Sequence, residues 1–192
     1  MVKAERHDRQ KAIEMATQLF WEKGYHATSM RNLQEFIDLR PGSIYASFGS
    51  KEGLFKEVLQ YYTASNLARL AACAEVSSPL DALKTFIQRS VIDDSGSAPS
   101  HMCMLVKSVS EFTEDNAELL AESKRLLSTV EAAFAALLVQ AQASGELDKE
   151  RDSRRLARFL QAQLMGLRAY VRANDGKVRV NELIDDAFAC LH

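Results

Sequence analysis

The side chains best suited to chemistry lie between positions 28 and 51. Arg40, Ser43, Tyr45, Ser47 and Lys51 are crowded into one short stretch, with Thr28 upstream of them. Arginine presents a planar fork of donors that fits a guanine edge or a phosphate. Serine can donate to either class of acceptor. Tyr45 and Ser47 are set to meet a sugar-phosphate wall. Lys51 falls in the first turn of a helix, where unpaired backbone N–H groups already favour phosphate. Thr28, at the start of another helix, is placed for the same task. This set suits nucleic acid better than covalent chemistry. Catalysis would need convergent acids, bases or a metal. The nearest approach to that is Glu111, Glu114, Asp115 and Glu118, which read as a solvated loop and a helix start. A helical enzyme is therefore the remote alternative. His7, His26, His101 and His192 share no ligand spacing with cysteines or carboxylates, so neither a metal nor a cofactor is expected.

One cysteine stands apart. Cys103 follows His101 and Met102 at the start of a helix, after a polar loop. A helix N-terminus and a neighbouring imidazolium both lower a thiol pKa. The same position also suits a buried, inert cysteine, and both readings stay open. Cys73 and Cys190 have less to support a redox role. Three widely spaced cysteines make no disulfide framework, which fits a reducing, cytoplasmic setting.

The elements that must position these groups all read as helices. Three prolines in 192 residues leave few interruptions. Apolar residues at three-and-four spacing give a first helix over 8–23, ended by Gly24. Thr28 or Ser29 caps a second, with a plain cap and no Glu three residues on. Pro41 opens a short third helix over 41–47. Gly49-Ser50 breaks it, and Ser50 caps a fourth whose stripe runs from Leu54 to Tyr62. Phe20, Phe36 and Phe48 are expected in the core. A separate segment follows through Leu67, Leu70 and Ala71. Ser78-Pro79 opens the next helix, and 93–100 is a loop. Helices over 102–112, 116–144 and 152–173 precede a last one carrying Val180, Leu183, Ile184, Phe188 and Leu191. Two short helices joined by about four residues, within 28–55, form a helix-turn-helix unit. In such a unit the second helix enters the major groove.

Composition narrows the partners. Apolar residues make up 47% and charged residues 26%, which excludes a disordered chain. The formal net charge of -2 excludes a strongly basic tail but not a local basic patch. Residues 1–60 hold nine basic and eight acidic side chains; the remainder hold fifteen and eighteen. That sign suits a DNA-facing N-terminus. No signal peptide, lipidation motif or membrane-spanning run is expected.

The run Thr28-Ser29-Met30-Arg31-Asn32-Leu33, with Leu39 through Leu54, resembles the signature of the TetR family of transcriptional regulators. Ala16, Phe20, Gly24 and Tyr25 resemble that family's first helix and turn. The likeness covers about 8–60; beyond it, only helix order and length match. Ile37-Asp38-Leu39-Arg40 departs from the family's usual Ala-Gly-Val-Ser, which bears on operator sequence. The resemblance implies an all-α chain. Residues 1–60 would form a three-helix helix-turn-helix domain, and 61–192 a larger helical domain for effector binding and dimerisation. It further implies a homodimer on a palindromic double-stranded DNA operator, and a ligand-responsive repressor released by a small molecule. By the same resemblance Tyr45, Ser47 and Lys51 contact the backbone, while Thr28, Arg40 and Ser43 face DNA. Some members sense electrophiles or oxidants through a cysteine near position 103.

An effector pocket needs apolar walls and a few polar groups. The wall candidates are Phe86, Cys103, Met104, Val109, Phe112, Phe134, Gln163, Leu167 and Tyr170, which suit an apolar, aromatic or electrophilic compound. Ala157, Ala162, Gly166, Ala169 and Ala173 permit close helix approach, as a dimer bundle would require. An activator, or a constitutive regulator without ligand, remains the alternative, since the sign of regulation depends on operator position.

Overall fold

Every regular element among the described residues is helical. The computed structural model describes residues 2–37, 41–93, 99–174 and 179–191. The helices are α1 (Val2–Lys23), α2 (Met30–Ile37), α3 (Pro41–Phe48), α4 (Lys51–Ala74), α5 (Pro79–Gln88), α6 (Met104–Glu111), α7 (Ala117–Ser144), α8 (Ser153–Ala173) and α9 (Val180–Ala189). A π-helical turn, Arg89–Asp93, extends α5, and a 3₁₀ turn, Glu114–Asn116, leads into α7.

Local signals set most boundaries. Gly24, Gly49 and Gly145 take positive φ after α1, α3 and α7, where a Cβ would be strained. Ser78 accepts the Asp81 N–H and Asp152 accepts the Arg154 and Arg155 N–H groups, capping α5 and α8. Ser29, not Thr28, caps α2. Its Oγ accepts the Asn32 N–H at 3.1 Å, while Asn32 Oδ1 accepts the Ser29 N–H at 3.1 Å. The expected plain cap is thus a reciprocal box, with an asparagine amide where glutamate is usual.

Several expectations need correction. The stretch expected as two helices, one to Tyr62 and another through Leu67, is the single helix α4. No glycine or proline interrupts it between Leu54 and Ala74, and Thr63 folds its hydroxyl back onto Leu59 O. Helix α6 begins at Met104, two residues late. Phe36 is 41% exposed, because Leu33 and Ile37 define the inner face of α2. Within Glu114–Ser144, an 18-residue window has a mean hydropathy of 1.4, so by length and composition it would pass as a membrane span. Alanine-rich turns between its leucines raise that average, and only 28% of the window is buried within the chain.

The chain divides into two compact units: Met1–Ala64 with Met104–Leu126, and Ser65–Cys103 with Leu127–His192. In the first, Phe20, Leu33, Ile44, Leu54, Phe55 and Leu59 are buried together with Leu105 and Leu119. In the second, Leu83, Phe86, Phe134, Leu138, Leu160 and Ile184 belong to one apolar cluster. Gln161 Nε2 donates to Leu127 O across that core at 2.8 Å.

Candidate nucleic-acid interface

Helix α3 divides its eight residues between inside and outside. Ile44 is fully buried and Phe48 nearly so, while Gly42, Tyr45, Ala46 and Ser47 are exposed. The anchors hold the helix down by their side chains and leave Tyr45, 52% exposed, and Ser47 open to solvent. The chain then turns sharply into α4. Gly49 N–H donates to Tyr45 O at 2.9 Å, and Ser50 Oγ accepts the Gly53 N–H at 3.0 Å. A Cβ on Gly53 would lie 2.1 Å from Phe48 O, so only glycine permits this turn. The turn brings Lys51, the first residue of α4, directly behind the end of α3.

Lys51 sits on an aromatic ring. Its Nζ lies 4.0 Å from the centroid of Tyr25. Burial pushes its ammonium below the usual lysine range, with the nearby Glu111 carboxylate acting in the opposite direction. Tyr25 belongs to an aromatic cluster, edge-on to Phe55 at 5.0 Å and to Phe112 at 5.4 Å, and stacked on Phe20 at 6.2 Å. Its phenol is raised above the ordinary value by burial first, then by the charges of Glu52 and Glu111.

Helix α6 grips the same turn from far along the chain. The Glu111 carboxylate accepts the backbone N–H of Tyr25 at 3.0 Å and that of His26 at 2.6 Å. Lys107 Nζ donates to Trp21 O at 2.7 Å and Glu22 O at 3.1 Å, satisfying carbonyls at the C-terminal end of α1. Gly24 is confined between these groups. Its φ is 89°, and a Cβ there would come 2.9 Å from Glu111 Oε2.

Of the residues expected to face DNA, Tyr45 and Ser47 are exposed on α3 and Lys51 lies at its end. Arg40 and the side chain of Ser43 lie outside the described residues. Thr28 differs from expectation: it is fully buried, and its hydroxyl donates to Gly24 O at 2.7 Å, bracing the turn after α1. The expected effector-wall residues are divided between the two units. Phe86, Phe134 and Leu167 share the core of the second unit, with Phe86 and Phe134 edge-to-face at 5.9 Å. Gln163 and Cys103 are part-buried in that unit, and Tyr170 is 48% exposed. Met104, Val109 and Phe112 belong to the first unit, and Phe112 packs on Tyr25 and Phe55. A cleft of about 430 Å³ in the second unit is lined by Glu150, Arg151, Asp152, Arg155, Leu156, Phe159 and Cys190, none of them expected.

Sequence reasoning missed Lys107 and Glu111 as clamps on α1, since a pairing across 85 residues leaves no local signal. It also missed Arg168, which is only 4% exposed and donates from Nε to His101 O at 2.7 Å. That residue did leave a signal: it lies on the apolar stripe of Leu164, Leu167 and Val171. Ser90, in the π-helical turn, is buried, and its hydroxyl has no hydrogen-bond partner among the described residues. Among the described residues, no group of three or more histidine, cysteine or acidic side chains is placed to hold a metal ion.

A buried-anchor α3, a glycine-tight turn and a lysine at the head of α4 define a helix-turn-helix protein of the all-α class. The family model for bacterial regulatory proteins, tetR family, matches residues 12–58. The HTH-type transcriptional repressor ComR of Escherichia coli (strain K12) is 30% identical over 163 residues, covering 83% of this chain and 77% of that protein. The chain belongs to the TetR family and is a DNA-binding transcriptional regulator. In fold it is similar to the TetR family transcriptional regulator CifR, solved as a cysteine mutant with 26bp double-strand operator DNA. That likeness has a TM-score of 0.85 at 24% identity, covering 95% of this chain and 96% of CifR. The reduced form of Escherichia coli NemR matches with a TM-score of 0.80 at 20% identity, over 96% and 95% of the two chains.

Proposed function

We propose that this regulator is a repressor that binds a palindromic operator as a homodimer and is released by a small-molecule effector. Residues 1–60 read DNA, and 61–192 sense and pair. The observation that carries the DNA-reading half is the α3–α4 corner, where Tyr45 and Ser47 are exposed on a helix anchored by Ile44 and Phe48 and Lys51 opens the next helix over the Tyr25 ring. Arg40 and Ser43 complete the contact set, with Arg40 reading a base edge or a phosphate. The name of ComR as a repressor supports the sign of regulation, and the operator complex of CifR supports the mode of binding.

Pairing is supported by two exposed stripes. Ala121, Ser128, Ala132, Ala136, Val139 and Ala143 recur along one face of α7, and Ala162, Gly166, Ala169 and Ala173 along α8. Ala157, by contrast, is buried in the chain's own core. A Cβ on Gly166 would meet nothing within 4 Å, which leaves room for a second copy to approach closely. A bundle of α7 and α8 from each copy uses both stripes and sets two α3 helices a helical turn, or a multiple of it, apart. For the effector, Phe86, Phe134 and Leu167 favour an apolar or aromatic compound. Cys103, directly ahead of α6, offers a thiol for an electrophile.

The test is selection of operator DNA from random duplexes by the pure protein, followed by a mobility shift on the selected sequence and on DNA upstream of its own gene. Enrichment of a palindrome and a discrete retarded complex are expected. Uniform, sequence-independent retardation at low salt would refute the proposal.

A further inference from the structure

The basic side chains around the helix-turn-helix are held in two different ways. Arg9 pairs with Glu57, Arg31 with Glu35 and Lys56 with Glu118, each a cation facing a carboxylate, and Arg9 also lies over the Phe48 ring at 4.7 Å. A carboxylate partner competes with phosphate for the same charge. Lys51 instead rests over the Tyr25 ring at 4.0 Å. A ring face attracts an ammonium through its quadrupole. An aromatic face, unlike a carboxylate, adds no competing negative charge, so the ammonium donors turned away from the ring can meet phosphate oxygens. The ring is itself fixed. Phe20, Phe55 and Phe112 pack around it, and its backbone N–H is bonded to Glu111 of α6.

We infer that Tyr25 is a positioning residue for phosphate binding, its ring holding the Lys51 ammonium at the N-terminal turn of α4 while Glu111 fixes the turn that carries the ring. The inference rests on Lys51 being a phosphate contact, as proposed above. A long, flexible lysine loses rotamer freedom when it grips a phosphate. A lysine already seated on a ring has lost part of that freedom before DNA arrives. The partial burial of Lys51 acts in the same direction, since some of its hydration is already removed. The arrangement also links the phosphate contact to α6, a helix more than 50 residues further along the chain.

The experiment compares the full-length protein with Lys51→Ala, Tyr25→Phe, Tyr25→Leu and the double variant Tyr25→Leu/Lys51→Ala. Affinity for the selected operator is read by fluorescence anisotropy across a salt series. Tyr25→Phe keeps the ring face and is expected within twofold of wild type. Tyr25→Leu is expected to weaken binding by about two- to fivefold per protomer, about four- to 25-fold for the dimer, on the scale of one exposed cation–π contact in each copy. Lys51→Ala should lower the salt slope by about 0.9 per protomer, about 1.8 for the dimer, the value of one lost phosphate contact in each copy. Adding Tyr25→Leu to Lys51→Ala should then cost less than twofold more. Equal damage from Tyr25→Leu in both backgrounds would mean that the ring acts through the fold alone, and would overturn the inference.

A second readout needs no DNA. Side-chain protons of Lys51 should show an upfield ring-current displacement by NMR in the wild type and in Tyr25→Phe, and lose it in Tyr25→Leu. No displacement in the wild type overturns the positioning role. A normal displacement together with a Lys51→Ala protein of unchanged affinity and salt slope overturns the phosphate contact itself, so the two failures are distinguishable.

Discussion

Replacing Glu111 by alanine removes two bonds at once from the turn that connects α1 to the helix-turn-helix. The carboxylate accepts N–H groups from Tyr25 at 3.0 Å and His26 at 2.6 Å. Hydrogen bonds to charged groups contribute about 1.5–3 kcal/mol each. Tyr25 is 7% exposed, so its N–H has little access to water once the carboxylate is gone. The His26 bond is exposed, and water replaces most of it. The combined loss is about 2–3 kcal/mol by this reasoning. At roughly 2–4 °C per kcal/mol for a chain of this size, Tm should fall by about 4–12 °C. Glu111→Gln keeps one carbonyl acceptor and should lose about half as much. Thermal melts followed by far-ultraviolet circular dichroism measure the change. Trp21, the only tryptophan in the sequence, lies in the final turn of α1, packs edge-to-face on Tyr62 and has its carbonyl bonded by Lys107. Its fluorescence reports locally on the same end of α1. A Tm within 1 °C of wild type in Glu111→Ala would refute the claim that this carboxylate holds the turn.

Four further outcomes follow from the geometry. Gly53→Ala should destabilise the protein by about 1–3 kcal/mol or more, because its Cβ would meet the Phe48 carbonyl at 2.1 Å; urea denaturation within 0.5 kcal/mol of wild type would contradict it. Gly166→Leu should yield a folded monomer in sedimentation, since the chain itself has room for the side chain and the helix gains propensity; an intact dimer would remove α8 from the interface. Arg125 and Gln60 hold Glu122 down to about 2, below its ordinary 4.5, so its contribution is present above 4.5 and lost as pH falls towards 2. Wild type should therefore lose about 1 kcal/mol more than Glu122→Gln across that window, allowing for screening of the exposed Arg125, and parallel pH profiles would refute it. Cys103→Ser should abolish electrophile-driven release from DNA while Cys190→Ser preserves it; release that survives in Cys103→Ser would make Cys103 inert.

Legibility in the sequence followed the range of the forces involved. Helix ends were readable because Gly24, Gly49, Ser50, Ser78 and Gly145 act on their own neighbours. The α3–α4 corner was readable for the same reason: Pro41, Gly49, Ser50 and Lys51 lie within eleven positions. The break expected inside α4 had no local breaker behind it, and only a drop in apolar periodicity after Tyr62 suggested one. Phe36 was misread because hydrophobicity predicts the inner face only when the stripe is unambiguous, and α2 carries four large apolar residues in eight. Thr28 was misread because a hydroxyl at a helix start serves a cap, a phosphate or a buried carbonyl equally well by type. Its choice of Gly24 O depends on the fold of the turn.

The pairings that define the site were invisible for a different reason. Glu111 reads in sequence as part of a solvated acidic run, and nothing local to Lys107 marks it out. Each finds its partner about 85 residues away, at backbone groups whose identity no side-chain pattern encodes. Backbone N–H and C=O groups at a helix end must be satisfied by something. After α1 the chain turns on Gly24 too tightly to satisfy them all itself, and α6, within the same compact unit, supplies a carboxylate for the donors and an ammonium for the acceptors. The two bonds have opposite charge requirements, so exchanging Lys107 and Glu111 would place a carboxylate against carbonyls and an ammonium against N–H groups. That exchange keeps composition, net charge and helix propensity nearly constant. A double exchange that melted like wild type would show that α6 meets this turn by packing alone; a loss larger than that of Glu111→Ala is what the paired polarity requires.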